Sequence, residues 1–369
     1  MAKRIIISGG GTGGHIFPAI AIAHALKRLA PDTVLLFVGA NGKMEMEKVP
    51  AAGYEIVGLD IQGINRTSLW KNLALPFKLY KSIRKARRII RDFRPDAAVG
   101  VGGYASGPLL HAAARMNVPC LIQEQNSYAG LTNKRLADKA EKVCVAFEGM
   151  DRFFPKDKIL FTGNPIRRDA VDIRHKRTQA IESLGLSPER KTILLTGGSL
   201  GARTLNKSMW EGLDRLAAAD VQVIWQCGAY YYDSLRETVG AKYDRTVKLT
   251  AFLQRMDFAY AAADIIIARA GAGTIAELCV VGKPSILVPS PNVAEDHQTK
   301  NAQALVDKTA ALMVTDSEAP QKLIDTALDL LSNPEASETL RSNLKELAVV
   351  DADEVIAQEV LKLAGKNEE

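Results

Sequence analysis

The residues best suited to chemistry in this chain lie in glycine-rich turns. The first is Gly9-Gly10-Gly11-Thr12-Gly13-Gly14-His15, which follows an apolar run and precedes a helix expected to open at Pro18. Glycine lets backbone approach a ligand closely, and a helix N-terminus offers N–H groups that have no helical partner. Gly9, Gly11 and Gly14 also fit the dinucleotide spacing G-x-G-x-x-G. A nicotinamide site, however, wants an acid about 20 residues on, at the end of the second strand. That strand ends Val38-Gly39-Ala40-Asn41, with no acid, which disfavours nicotinamide. A tight turn serving only helix–strand packing is the plain alternative.

Further turns repeat the pattern. Gly102-Gly103-Tyr104-Ala105-Ser106-Gly107-Pro108 and Gln123-Glu124-Gln125-Asn126 each follow a strand-like run. Ligands of open α/β sheets sit at the carboxyl ends of strands, so both turns are expected to line the crevice of the first; ordinary loop polarity is the alternative. Gly197-Gly198-Ser199-Leu200-Gly201-Ala202 offers amides and the Ser199 hydroxyl to a phosphate. One helix N-terminus gives an anion only ~0.3–2 kcal/mol, so a cation is needed as well. Arg167 is the candidate, or else a solvated arginine. In Ala268-Arg269-Ala270-Gly271-Ala272-Gly273-Thr274-Ile275-Ala276-Glu277 a strand gives way to a helix whose first amides can take a diphosphate. Glu277, one helical turn after Thr274, can accept two ribose hydroxyl bonds, or serve as a surface charge or cap partner. Asp296-His297-Gln298-Thr299-Lys300-Asn301-Ala302 brings amide and ring groups to another helix start.

The elements positioning these turns alternate. Apolar runs at 5–8, 33–38, 97–101, 120–123, 192–196, 221–226, 265–268 and 285–288 are separated by amphipathic stretches. That alternation implies an α/β fold with parallel sheets. The glycine opening occurs twice, so two doubly wound domains are expected. They span 1–163 and 164–345, with the seam at Gly163-Asn164-Pro165 and a terminal helix, 346–369, packing back on the first. A length of 369 residues suits two cores. No apolar run is long enough to cross a bilayer, and the start does not read as a secretion signal. Cys120, Cys144, Cys227 and Cys279 show no C-x-x-C pair, so structural zinc and a disulfide framework are not expected; they read as small buried hydrophobes. The net charge of +6 is uneven: Arg66, Lys71, Lys78, Lys81, Arg84, Lys85, Arg87, Arg88, Arg91 and Arg94 face only Asp92.

Taken in order, these strings identify a resemblance. The chain is similar, essentially end to end, to the MurG family of peptidoglycan glycosyltransferases (glycosyltransferase family 28). The matching strings are Gly10-Gly11-Thr12-Gly13-Gly14-His15, Gly102-Gly103-Tyr104-Ala105-Ser106-Gly107-Pro108, Glu124-Gln125-Asn126 with Ala129-Gly130-Leu131-Thr132-Asn133, Gly163-Asn164-Pro165-Ile166-Arg167, Gly197-Gly198-Ser199-Leu200-Gly201-Ala202, and Gln298 with Asn301-Ala302. The resemblance implies the GT-B fold, two Rossmann-like domains facing a cleft. It implies transfer of N-acetylglucosamine from UDP-N-acetylglucosamine to the lipid-linked acceptor lipid I, giving lipid II. The donor would lie mainly on the second domain. Ser199 would be near the diphosphate, Leu253 at uracil, and Ala272, Gly273, Thr274, Ile275, Ala276 and Glu277 on phosphate and ribose. Gln298 would bond sugar hydroxyls. Thr12, Gly13, Gly14, Asn126 and Arg167 also match donor-site positions. The acceptor would meet Gly13, Gly14, His15, Tyr104 and Glu124, with His15 and Glu124 as the candidate catalytic residues. Many members carry histidine where this chain has Gln123, and residues 290–298 depart from some relatives.

The implied reaction is a single displacement with inversion, needing a base for the acceptor hydroxyl. His15 suits that role by its ordinary pKa of ~6.5, with a hydrogen-bonding role to either substrate left open. No D-x-D string accompanies the donor elements, and Asp351-Ala352-Asp353 lies far along the chain, so neither a metal nor a cofactor is expected. Trp70, Leu73, Phe77 and Tyr80 recur at helical spacing beside the basic stretch. Core packing explains that stripe; together with the charge, so does an anionic membrane surface. The resulting expectation is a peripheral protein at the cytoplasmic face of the membrane, with other cell-wall synthesis proteins as partners and no nucleic acid. The competing functions are a UDP-sugar epimerase or glycolipid glycosyltransferase of the same fold, a nicotinamide oxidoreductase, and a non-catalytic scaffold.

Overall fold

The computed structural model describes residues 2–63 and 75–365. The chain divides into two compact units, 1–166 with 351–369, and 167–350. No helix among the described residues is long and apolar enough to cross a membrane.

The first unit is built on a seven-stranded sheet: β1 (Arg4–Gly9), β2 (Val34–Ala40), β3 (Ile56–Leu59), β4 (Ala97–Gly102), β5 (Cys120–Glu124), β6 (Lys142–Val145) and β7 (Ile159–Phe161). The order is β3-β2-β1-β4-β5-β6-β7, parallel throughout. Ile5, Ile6 and Ile7 are fully buried, because helices cover both faces of a parallel sheet and leave no solvent side for alternation to serve. The order in which strands are added reverses between β1 and β4, the switch point at whose carboxyl ends open α/β sheets bind ligands.

The first helix, Gly13–Leu29, starts five residues before the Pro18 expected to open it. Thr12 is extended and Gly13 already helical, so Pro18 sits inside, where its missing N–H forfeits the bond to the Gly14 carbonyl. The terminal helix Ala352–Gly365 packs here: Ile356, Ala357, Val360 and Leu363 share one cluster with Ile5, Ile16 and Leu26. Arg28 Nη2 donates to Asp353 Oδ2 at 2.7 Å, so this aspartate of the Asp-Ala-Asp string is spent on an ion pair.

The second unit has six parallel strands, β8 (Thr192–Thr196), β9 (Gln222–Gln226), β10 (Val247–Thr250), β11 (Ile265–Ala268), β12 (Ser285–Leu287) and β13 (Leu312–Met313). Their order, β10-β9-β8-β11-β12-β13, repeats the first unit's pattern and puts its switch point between β8 and β11. The four cysteines are all buried and unbridged, and burial pushes the Cys120, Cys144 and Cys279 thiols up to about 12.

The basic helix spans Leu75–Phe93 and buries Ser82, Ala86 and Ile90 against the first sheet. Trp70, Leu73, Arg66 and Lys71 fall outside the described residues. Phe77 (60% exposed) and Tyr80 (63%) lie on the outer face, so core packing does not account for these two rings. Lys81 Nζ sits 4.4 Å from the centre of the Phe77 ring. Tyr80, Ile83, Arg84, Arg87, Arg88 and Arg91 line a groove on the same helix. Lys85 is turned inward, donating to the Gly58 carbonyl at 2.7 Å.

Candidate active site

In the first unit the turns after β1 and β4 touch backbone to backbone. Gly10 N–H donates to the Gly102 carbonyl at 3.3 Å. Gly103 has φ +90°, and a Cβ there would lie 2.2 Å from the Gly10 oxygen, so position 103 admits only glycine. His15 rises from the first helical turn into this junction. A Cβ on Gly102 would meet its Cδ2 at 2.6 Å. His15 Nδ1 lies 3.1 Å from the Gly10 oxygen and 3.2 Å from Thr12 Oγ1. A carbonyl oxygen only accepts, so Nδ1 carries the hydrogen and Nε2 is the basic nitrogen. Thr12 is exposed, and its Oγ1 accepts from His15 Nδ1 instead of capping the helix. Gly13 is half-buried and Gly14 exposed at the helix start. The exposed Tyr104 ring lies where Gly63 has no side chain: a Cβ there would be 2.3 Å from its Cε1.

Glu124, at the end of β5, is 2% exposed. Its Oε1 accepts from the Asn126 backbone and side chain at 3.1 and 3.3 Å, and its Oε2 from Gly130 N and Asn133 Nδ2, both at 2.9 Å. A carboxylate occupied by four donors holds a loop in shape; here it fixes 124–133, with Asn126 half-buried at its rim. Gln123 Nε2 donates to Asn164 Oδ1 at 2.9 Å, and Asn164 Nδ2 to the Gln125 carbonyl at 2.9 Å, so the Gly163-Asn164-Pro165 string is anchored to β5.

Sequence reasoning missed Glu45. It stands in Lys43-Met44-Glu45-Met46-Glu47, which reads as a surface string. Its side chain is nevertheless buried, with Oε1 accepting from Ala40 N at 3.0 Å and Oε2 from Gly11 N at 2.9 Å. No local signal distinguishes it from Glu47.

In the second unit, Ser199 is exposed in the turn after β8. Gly201, at φ +74°, could take no Cβ, which would lie 1.8 Å from the Cys227 oxygen. Asn206 braces the contact, donating to that oxygen at 2.9 Å and accepting from Trp225 Nε1 at 2.9 Å. Leu253 is buried beside the exposed Phe252. After β11, Gly271 is extended and the helix Ala272–Val281 begins. The first helical bond is Ile275 N to the Gly271 carbonyl at 2.9 Å, so the Gly273 and Thr274 amides have no carbonyl within the helix. Space around Gly273 is open: a Cβ would meet nothing within 4 Å. Ala276 follows in the same helix, where Ile275 is buried.

Glu277 and Arg167 were expected to serve different parts of a nucleotide; they are joined. Arg167 Nε donates to Glu277 Oε1 at 2.8 Å and Nη2 to Oε2 at 3.0 Å, a two-pronged pair. Tyr260, fully buried, donates its hydroxyl to Oε2 at 2.9 Å. The carboxylate raises the arginine's pKa, and burial, helped by Glu277, holds the tyrosine well above its ordinary value. The guanidinium thus orients the carboxylate with two of its five N–H donors. Gln298 Oε1 accepts from Ser290 N at 2.9 Å, fixing the amide so that Nε2 is the end with hydrogens to give. Among the described residues no cluster of histidine, cysteine, aspartate and glutamate could hold a metal ion.

Residues 5–145 match the glycosyltransferase family 28 N-terminal domain, and residues 192–358 the family 28 C-terminal domain. A protein of Parabacteroides distasonis is 56% identical over 98% of this chain and 99% of its own length, and one of Bacteroides fragilis is 57% identical over 98% and 96%. Both are named UDP-N-acetylglucosamine–N-acetylmuramyl-(pentapeptide) pyrophosphoryl-undecaprenol N-acetylglucosamine transferase. Among solved structures, Acinetobacter baumannii MurG matches with a TM-score of 0.80 at 30% identity, covering 98% of this chain and 99% of that one. With both domain signatures, near-complete coverage and this fold, the chain belongs to glycosyltransferase family 28.

Proposed function

We propose that this protein transfers N-acetylglucosamine from UDP-N-acetylglucosamine to undecaprenyl-pyrophosphoryl-N-acetylmuramoyl-pentapeptide, lipid I, making lipid II. The observation that carries this reading is identity of 56–57% across 98% of the chain with transferases named for that reaction. Such identity sets the transferase apart from epimerases and from nicotinamide enzymes.

In this reading the second unit holds the donor. The Gly273 and Thr274 amides and the Ser199 turn take the diphosphate, Leu253 meets uracil, Glu277 takes ribose hydroxyls, and Gln298 a sugar hydroxyl. The first unit supplies the acceptor contacts, Tyr104 among them. The acceptor hydroxyl attacks the anomeric carbon from the face opposite UDP. Its proton passes to His15 Nε2, and the bond to the diphosphate breaks with its electron pair leaving on UDP. An α-linked donor therefore gives a β-linked product. Oriented amides aimed at the leaving diphosphate stabilise the charge it gains. Glu124 acts in this scheme by shaping the loop that carries Asn126. Purified protein, given radiolabelled donor and lipid I, is expected to form lipid II in excess chelator. Release of label as free sugar without lipid product would refute the reading; activity abolished by chelator and restored by a divalent ion would refute its metal-free form.

The Leu75–Phe93 helix fits an anionic membrane surface, since Phe77 and Tyr80 sit exposed beside Lys81, Arg84, Arg87, Arg88 and Arg91. Each such charge contributes ~1 kcal/mol near an anionic leaflet. Sedimentation with vesicles is expected to require acidic lipid and to weaken as salt rises; salt-independent binding would contradict it.

A further inference from the structure

Glu45 and His15 engage opposite ends of a single peptide group. The Gly10–Gly11 peptide gives its N–H to Glu45 Oε2 at 2.9 Å, and its carbonyl oxygen lies 3.1 Å from His15 Nδ1. We propose that Glu45 is a positioning residue for the transfer, acting through this peptide to hold His15 in the tautomer whose Nε2 can take a proton. The proposal rests on the base role of His15 given above.

Three observations carry it. The carboxylate is placed by construction: it is 1% exposed and held from its other oxygen by Ala40 N at 3.0 Å, at the end of β2. Room for it exists because two positions lack side chains. A Cβ on Gly10 would lie 2.2 Å from Glu45 Oε1, and one on Gly39 2.6 Å from its Cγ. Finally, the surroundings of the peptide are tied down: the preceding amide, Gly10 N–H, donates to the Gly102 carbonyl at 3.3 Å, and Gly103 lies so close to the Gly10 oxygen that a Cβ there would be 2.2 Å from it.

The chemistry follows from these positions. A carboxylate accepting the peptide N–H draws electron density toward the carbonyl oxygen, making it a stronger acceptor. That oxygen favours hydrogen on Nδ1, the reverse of the tautomer imidazole prefers in water. Thr12 Oγ1 at 3.2 Å accepts the same hydrogen as a second partner. With Nδ1 protonated, the lone pair is on Nε2. When Nε2 receives the acceptor's proton, the imidazolium retains its Nδ1–H bond to an oxygen whose peptide is tied to a negative charge. An acid that orients a catalytic histidine usually touches it directly; here one peptide lies between them.

The test reads the tautomer in the free protein. In ¹⁵N-labelled protein, the His15 ring signals are assigned by their loss in His15→Ala and observed above the histidine titration range. The parent protein is expected to show a protonated Nδ1 and an unprotonated Nε2; the opposite pattern overturns the proposal. Glu45→Gln keeps the shape and removes the charge. It is expected to move His15 toward the opposite tautomer and to lower kcat by about 10–100-fold, as loss of an orienting partner does, with the donor KM changed less than about twofold. Glu45→Asp keeps the charge and should recover part of kcat. A folded Glu45→Gln protein with the parent's tautomer and kcat overturns the proposal, as does loss of kcat matched by loss of folded protein alone. A shifted tautomer with undiminished kcat would support the link between Glu45 and His15 while refuting the base role.

Discussion

His15→Ala is expected to lower kcat by about 10²–10⁴, the usual contribution of a positioned general base. Affinity for UDP should stay within about threefold, because a group acting on the proton in flight contributes little to ground-state binding. His15 is held by the Gly10 carbonyl and Thr12 in the first unit, while the groups assigned to the nucleotide lie on the turns after β8 and β11. Single-turnover transfer measured beside calorimetric UDP binding checks it. Equal losses in the two measurements would assign His15 to substrate binding instead.

Glu277→Ala should act in the opposite sense, on binding first. Two ribose hydroxyl bonds to a carboxylate are lost, and each bond to a charged group is worth ~1.5–3 kcal/mol, so donor affinity should fall by at least ~10-fold. Stability should fall too. The change leaves the Arg167 fork without its counter-charge and the Tyr260 hydroxyl, fully buried, without an acceptor. An unsatisfied buried donor costs ~1–3 kcal/mol; the arginine adds less, since 48% of its side chain is exposed and water can replace the pair. Tyr260→Phe separates the two effects. It removes one donor and keeps the carboxylate with its arginine, so donor affinity should hold within about threefold while stability drops by ~1 kcal/mol. Calorimetric titration with UDP-N-acetylglucosamine and thermal unfolding of both variants provide the check. Unchanged donor affinity in a folded Glu277→Ala protein would remove Glu277 from the ribose site.

The eight strand-like runs recognised in the sequence became β1, β2, β4, β5, β8, β9, β11 and β12, four adjacent interior strands of each sheet. The strands not recognised, β3, β6, β7, β10 and β13, all lie outside them. A central strand of a parallel sheet is buried on both faces and reads as an unbroken apolar run, as Ile5-Ile6-Ile7 and Ile265-Ile266-Ile267 do. An outer strand is short and partly exposed, as β7 and β13 are, and carries too few residues for a pattern. The first helix shows a different failure. Proline was given its usual place at a helix start, whereas the extended Thr12 and the two glycines after it set the true start.

What this sequence determined by itself was local: the alternation of strands and helices, the turns where glycine alone can adopt the backbone, and the ordered strings that mark the family. Such properties arise from sterics and burial within a few neighbouring residues. What only the tertiary structure decided was which polar groups satisfy one another. Arg167 pairs with a glutamate 110 positions away, Glu45 reaches a peptide 34 positions back, and Glu124 closes a loop instead of standing open. A buried charge must find donors wherever packing brings them, and that choice follows from the assembled sheets rather than from spacing along the chain.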